Sequence, residues 1–473
     1  MTNSTGPHVH STAYDRSNCD VGVVHLGYGA FHRAHQAVYL DDYMDQTGDL
    51  RWGIAAVNLR AEESQEFARN KGAENGYILK SVAPNSESTL RRVRSHLNYL
   101  DWSKDPAKAE SMLARSSVHV VTITVTESGY YGDTGGLLDP EDKTIAAELA
   151  GGETRSVYAY LTAGLDLRRT ELDQPISVLC CDNIQQNGKK LRINLMAYLT
   201  LAGKTELSDW VDQNVTFPCS MVDRITPRAT DDMRNQVEAA VGKQSVTPVM
   251  AEKFMQWVLE GNFAGPVPQL DKVGVTIADD VDPYEEAKIR ILNGGHTCLT
   301  YLAALKGIET FDAAMCDPEL RDHFISYETQ EVLVALTREL PFDKSSYLAE
   351  IAARFENQAI GDTIARICAD GMAKFPIFIR PTLAGCLKQG KMPTYGIQSV
   401  ASWFVFAKQS AAGRIPFSYV EPSWAKLEQM LEDPTKDSFV QSKELWGDLP
   451  ETYPEFALKL RASIEEAETK WLV

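Results

Sequence analysis

Along the first half of the chain, short apolar runs alternate with amphipathic stretches of helical period. Runs at residues 21–26, 52–57, 118–126, 176–181 and 221–225 predict strands, and residues 34–44 and 156–167 predict helices between them. Strand–helix alternation predicts a mostly parallel sheet covered on both faces. After residue 280 the pattern changes. Helical periodicity dominates over 285–305, 318–340, 347–355, 360–373, 400–409 and 454–470. An α/β domain over residues 1–280 and a mainly α-helical domain over 281–473 are therefore expected. No low-complexity linker marks the boundary, and no internal repeat is visible.

The length, 473 residues, exceeds one ordinary core and suits two or three domains. With 47 basic and 65 acidic residues the net charge is −18, which excludes nucleic acid and anionic membrane as natural partners. No apolar run approaches the roughly 20 residues that span a bilayer. The polar first 18 residues lack the apolar core of a signal peptide and read as a loose arm, so a cytoplasmic location is expected. None of the eight cysteines forms a C-x-x-C pair, which fits free thiols in a reducing compartment. Cysteines and histidines show no ligand spacing, so no metal is expected.

The first strand runs into Gly27-Tyr28-Gly29-Ala30-Phe31-His32. Glycines here permit a sharp turn and a close approach of backbone N–H groups to a pyrophosphate, as in a Rossmann-type domain. The third small residue of the usual pattern is replaced by His32. Arg33 follows and could pair with phosphate. An ordinary strand–helix turn would look similar. The second strand should end near an acidic residue for the adenosine ribose. Glu62 and Glu63 stand slightly late, and Arg60 could instead take a 2′-phosphate, so NAD and NADP both remain open at this level.

Residues 282–296, DPYEEAKIRILNGGH, carry the most chemistry. Asp282 suits an N-cap, Pro283 the first helical position and Glu285 a capping box. On a regular helix Asn293 lies about 140° from Lys288 and His296 about 80° from it, one shared side. The other sides are apolar, so the helix is buried and its polar groups must be satisfied or face a cavity. Oxidation of a secondary alcohol needs such a set. A desolvated lysine can take the hydroxyl proton, and an amide can steady the alkoxide. The structural alternatives are a snorkelling lysine and a hydrogen-bonded core histidine. Gly294 and Gly295 each cost about 1 kcal/mol inside a helix, so they make room for something or end the helix.

Several segments in order resemble the polyol-specific long-chain dehydrogenases, the mannitol dehydrogenase family. They are residues 25–36, 124–130, Cys181-Asp182-Asn183, residues 221–227, Lys288 through His296, and Ala369-Asp370-Gly371 with Lys374. The resemblance spans nearly the whole chain. It implies a Rossmann-type N-terminal domain, a largely helical C-terminal domain and a site between them. It further implies a zinc-independent, NAD-dependent monomer that interconverts a polyol and its ketose. D-arabinitol to D-xylulose is the first expectation and D-mannitol to D-fructose the second; fructuronate or tagaturonate reduction is a further alternative. The implied catalytic set is Lys288 as base, Asn183 and Asn293 at the alkoxide, and His296. Asp223, Arg366 and Lys374 would join His296 on substrate hydroxyls, and Glu127 would pass the proton to solvent. Gly27, Gly29, Phe31, His32, Arg33, Glu62 and Glu63 would hold the cofactor. Ser128 departs from the glycine usual there.

Overall fold

The computed structural model describes residues 9–71, 75–84, 87–133, 135–241 and 248–472, apart from the side chain of Glu127. The chain forms two compact units that meet in sequence at Val281 and Asp282.

The first unit is built on a six-stranded sheet. Its spatial order is His96–Asp101, Gly53–Asn58, Val21–Leu26, Val120–Ile123, Ile176–Cys180 and Val215–Thr216. All five pairings are parallel. Numbered along the chain, that order is 3-2-1-4-5-6, the doubly wound arrangement of dinucleotide-binding domains. Val21–Leu26 and Gly53–Asn58 are buried at every position, as strands covered on both faces must be. Helices Gln36–Thr47 and Val157–Glu171 follow the first and fourth of these strands in sequence.

Two smaller sheets complete the unit. Tyr77–Val82 and Ser88–Val93 form a hairpin flanked in parallel by Val249–Glu252 and Val9–Ser11. Ser220–Asp223 does not join the large sheet as its apolar run suggested. It pairs antiparallel with Gln256–Glu260, which pairs with Thr276–Ala278. From Val9 onward the expected loose arm is structured. Residues 1–8 lie outside the described residues, but Val9–Ser11 is a strand and Arg16–Asn18 a short helix held by Asp15.

The second unit is helical, with one core that includes Tyr301, Phe324, Phe355, Phe375, Trp403, Phe404, Phe406, Trp446 and Phe456. One unbroken helical run covers Asp282 to Leu305, but its middle, Lys288–Asn293, is a π-turn. Two further π-turns occur at Glu328–Val332 and Phe375–Ile379. The last holds Pro376 and runs into Pro381; both lack an N–H, which weakens the α ladder there. The helix expected over 360–373 is two short ones, Ile364–Cys368 and Gly371–Lys374. Ala369 is extended and Asp370 adopts a left-handed φ of 61°, which aspartate tolerates better than most residues. The helical run from Pro318 ends at Ala335, short of the expected 340. Six of the eight cysteines are buried, Cys19 is half-buried and Cys316 is exposed; all are free.

Candidate active site

In an open sheet of this order, ligands lie beyond the carboxyl ends of the strands where the order reverses. Here that point falls between Val21–Leu26 and Val120–Ile123. The Gly27–Gly29 turn stands there. Gly27 has φ 92°, and a Cβ on it would lie 2.0 Å from the Thr124 carbonyl oxygen, so only glycine fits. At Gly29 a Cβ would meet nothing within 4 Å. The backbone there is open to close approach by a ligand. The Gly27 carbonyl accepts from His25 Nε2 at 2.6 Å and from Thr124 Oγ1 at 3.1 Å. A carbonyl only accepts, so His25 carries its proton on Nε2, and Nδ1 accepts from Thr122 Oγ1 at 2.8 Å. Burial pushes His25 down to about 3, which keeps it neutral.

The other expected cofactor residues divide. Phe31 is half-buried and stacks on His35 with ring centres 5.0 Å apart. The His32 ring is wholly buried, stacked on His25 and 2.9 Å from His96 Nε2. The Arg33 guanidinium is buried over the rings of Tyr28 and Tyr77. The helical turn directs both side chains into the core, which leaves the turn's backbone and Phe31 to meet a ligand. Glu62 and Glu63 are exposed on the short helix after Gly53–Asn58. Glu63 lies 3.7 Å from Arg60, and Glu62 lies 3.8 Å from Arg155.

Asn183 is exposed in the turn that follows strand Ile176–Cys180. Supports that sequence reasoning missed hold this turn. The Asp182 carboxylate accepts from the Val125 N–H at 3.0 Å and from Tyr130 Oη. Asn187 Nδ2 donates to the carbonyls of Asp182 and Ser220, and its Oδ1 accepts from the Ser220 N–H. One asparagine thus brackets the Asn183 turn to the strand that ends in Asp223. Asp223 is 4 % exposed. Its neighbour Arg224 is anchored to the Glu252 carbonyl at 2.8 Å, which pins the strand end.

In the second unit Lys288 opens the π-turn, is 8 % exposed and is not a snorkelling surface lysine. A π-turn holds about one residue more than an α-turn, which moves later residues back by about 100°. On that count Asn293 falls near 40° and His296 near −20° from Lys288, closer together than a regular helix would put them. The helix does not stop at the glycines. Gly294 has φ −61°, and a Cβ there would meet the Phe378 carbonyl at 3.2 Å; one on Gly295 would meet Phe324 at 2.7 Å. The room they make is for a crossing backbone and a packed ring.

His296 lies against Phe355, stacked at 4.1 Å, and edge-on to Phe311. Burial, then the positive charges of Arg366, Arg354 and Lys374, hold it well below the usual histidine range. It is a neutral hydrogen-bonding group near two of the expected substrate cations. Arg366 is itself paired with Asp362, its Nε at 2.6 Å from Oδ1 and a second nitrogen on Oδ2. The i,i+4 spacing of Asp362 and Arg366 was the signal that could have found this pair. Lys374 Nζ donates to the Ile367 carbonyl at 2.9 Å. Tyr301, two turns beyond the π-turn, donates to the Cys368 carbonyl at 2.9 Å and ties this loop to the Lys288 helix. The Glu127 side chain lies outside the described residues. Among the described residues no three His, Cys, Asp or Glu side chains form a metal-binding group, and no helix is long and apolar enough to cross a membrane.

A doubly wound sheet with a glycine turn at its switch point, followed by a helical unit with a buried lysine, defines the class of two-domain dehydrogenases. The family described as the mannitol dehydrogenase Rossmann domain matches residues 21–272, and the mannitol dehydrogenase C-terminal domain matches residues 280–467. The chain belongs to the mannitol dehydrogenase family. It is 37% identical over 432 residues to D-arabinitol 4-dehydrogenase of Ralstonia nicotianae, covering 90% of this chain and 92% of that one. It is 33% identical to mannitol 2-dehydrogenase of Cereibacter sphaeroides, covering 95% of each. The structure of Pseudomonas fluorescens mannitol 2-dehydrogenase in ternary complex with NAD and D-mannitol aligns with a TM-score of 0.87 at 31% identity. It covers 98% of this chain and 96% of that one.

Proposed function

We propose that the protein oxidises D-arabinitol to D-xylulose with NAD, and reduces the ketose in reverse. The observation that supports the reading is the buried Lys288 at the head of a π-turn, which by helical count turns Asn293 and His296 toward the side of the lysine. Lys288, as the free amine, takes the proton of the reacting hydroxyl. The amide N–H groups of Asn293 and Asn183 donate to the oxygen as it becomes an alkoxide. His296, held neutral, hydrogen-bonds a neighbouring hydroxyl without adding charge. Asp223, Arg366 and Lys374 hold the remaining hydroxyls, and Glu127 passes the proton outward. NAD, when bound, supplies the hydride acceptor. The open backbone at Gly29 and the left-handed Gly27 fit its pyrophosphate, with Phe31, His32 and Arg33 on the same turn and Glu62 and Glu63 toward the ribose. Of these, His32 contributes through its backbone N–H, while the Arg33 N–H donates to the Gly29 carbonyl at 3.2 Å and holds the turn.

The higher identity to D-arabinitol 4-dehydrogenase favours the pentitol. D-mannitol to D-fructose is the second reading, favoured by the likeness to the mannitol-bound structure. A uronate needs a cation for its carboxylate, and of the two cations assigned to substrate Arg366 is already paired with Asp362. A cytoplasmic monomer is the proposed active form. The deciding experiment compares kcat/KM for D-arabinitol, D-mannitol, D-sorbitol and fructuronate, read by absorbance of the reduced cofactor, with and without a chelator. D-arabinitol should lead, and the chelator should change nothing. A lead for fructuronate, or loss of turnover on chelation, overturns the proposal.

A further inference from the structure

The break at Ala369–Asp370 lies between the two cationic side chains assigned to substrate, Arg366 and Lys374. A separate strand of chain lies flush against it. The Asp370 N–H donates to the Val420 carbonyl at 3.0 Å. One Glu421 oxygen accepts from the Met372 N–H at 3.0 Å and from Tyr419 Oη at 2.9 Å; the other accepts from the Ser423 N–H at 3.1 Å. The Trp403 indole N–H donates to Tyr419 Oη at 3.0 Å. The contact leaves no slack, because a Cβ on Gly371 would lie 2.5 Å from Trp403 Nε1 and 2.6 Å from Tyr419 Oη. Trp403 is fully buried and Glu421 is 9 % exposed.

Three donors converge on the two Glu421 oxygens, a demand that an acceptor-only carboxylate meets in full. Glutamine would turn an NH2 group toward at least one of those donors and leave it unpaired. Because Met372 is two residues before Lys374, the carboxylate fixes the start of the helix whose last residue is Lys374. On the other side of the break, Tyr301 holds the Cys368 carbonyl from the Lys288 helix. The loop is thereby clamped from both sides, and nothing in the polyol chemistry itself needs Tyr419 or Glu421.

We propose that Tyr419 and Glu421 are positioning residues that, through Met372, set where Lys374 meets the polyol. The inference rests on the substrate role proposed for Lys374. Glu421→Gln and Tyr419→Phe should each raise KM for the polyol about tenfold, with kcat and KM for NAD changed less than about twofold. Tyr419→Phe keeps the ring against Phe406 and Trp424, so it carries the test if Glu421→Gln does not fold. The same substitutions are then repeated in a Lys374→Met background. A residue that acts through Lys374 should add less than about twofold there. If Lys374→Met raises KM while the two variants leave it alone, or add their full effect on top, they are not positioning residues. If Lys374→Met leaves the polyol KM unchanged, the substrate role of Lys374 fails, and the inference falls with it.

Discussion

His25 Nε2 lies 2.6 Å from the Gly27 carbonyl oxygen, so a buried neutral imidazole holds the first glycine of the turn. Burial lowers His25 to about 3, whereas in the unfolded chain it takes up a proton near 6.5. The folded value is depressed, so the unfolded state binds more protons between the two. The contribution of His25 to stability is whole above about pH 6.5 and is lost as pH falls toward 3. One such group contributes a slope of about 1.4 kcal/mol per pH unit. Urea unfolding of the wild type and of His25→Gln at several values between about pH 6 and 5 should show a slope smaller by that amount in the variant. Glu331, pushed up to about 7 by burial, acts in the opposite sense in both proteins and cancels. Equal slopes would mean that His25 is protonated in the fold.

Lys288→Ala should lower kcat for polyol oxidation by about 10²–10⁴ and leave NAD binding nearly intact. In the wild type, oxidation should rise with pH through one ionisation and level off, while reduction falls. No second limb should come from His296, which burial and its cationic neighbours keep neutral. Asn293→Ala should cost about 10²-fold in kcat without moving the midpoint. A Lys288→Ala enzyme with wild-type kcat and pH profile would make the lysine structural.

The two glycines of the turn should part company on alanine substitution. Gly29→Ala meets no protein atom, so its melting temperature should not change, while KM for NAD rises about tenfold or more. Gly27→Ala forces a left-handed residue into the Thr124 carbonyl and should lower both stability and activity. Normal NAD kinetics in Gly29→Ala would move the pyrophosphate elsewhere.

Cofactor choice should turn on the pair Arg60 and Glu63, 3.7 Å apart. With Glu63 present the arginine has a counter-ion and the carboxylate repels a 2′-phosphate. Glu63→Gln should raise kcat/KM for NADP about tenfold and change NAD little. The ratio of the two kcat/KM values decides it, and an unchanged ratio would place the ribose hydroxyls away from this short helix.

Much of the large sheet was legible because its strands are continuous β-branched and apolar runs. His96–Asp101, HLNYLD, escaped notice since its alternating polar residues resemble a loop. The paired strands Tyr77–Val82 and Ser88–Val93 carry lysine and arginines that hide their period. Ser220–Asp223 was visible as a strand, but strand character does not say which sheet receives it. At the site, motif supplies a candidate residue set, and spacing does not supply its geometry. A helical wheel assumes a constant turn per residue, and Lys288–Asn293 does not keep it. The inward aim of His32 and Arg33 depends on tertiary packing against His25, His96, Tyr28 and Tyr77, none of which spacing reveals.

The π-turn at Lys288–Asn293 makes chain length itself a determinant of reactivity. Every side chain in that stretch could be exchanged for another without altering how many residues separate the lysine from the asparagine. Adding a single residue between them, with the π-turn otherwise kept, would swing Asn293 and His296 about a quarter-turn around the axis, whereas removing one would leave an ordinary helix that aims them as the π-turn does. The lengthened helix would still form and keep each functional group, yet the groups would no longer converge. A one-residue insertion should therefore be more damaging here than a one-residue deletion, and more damaging than any conservative point substitution outside Lys288, Asn293 and His296.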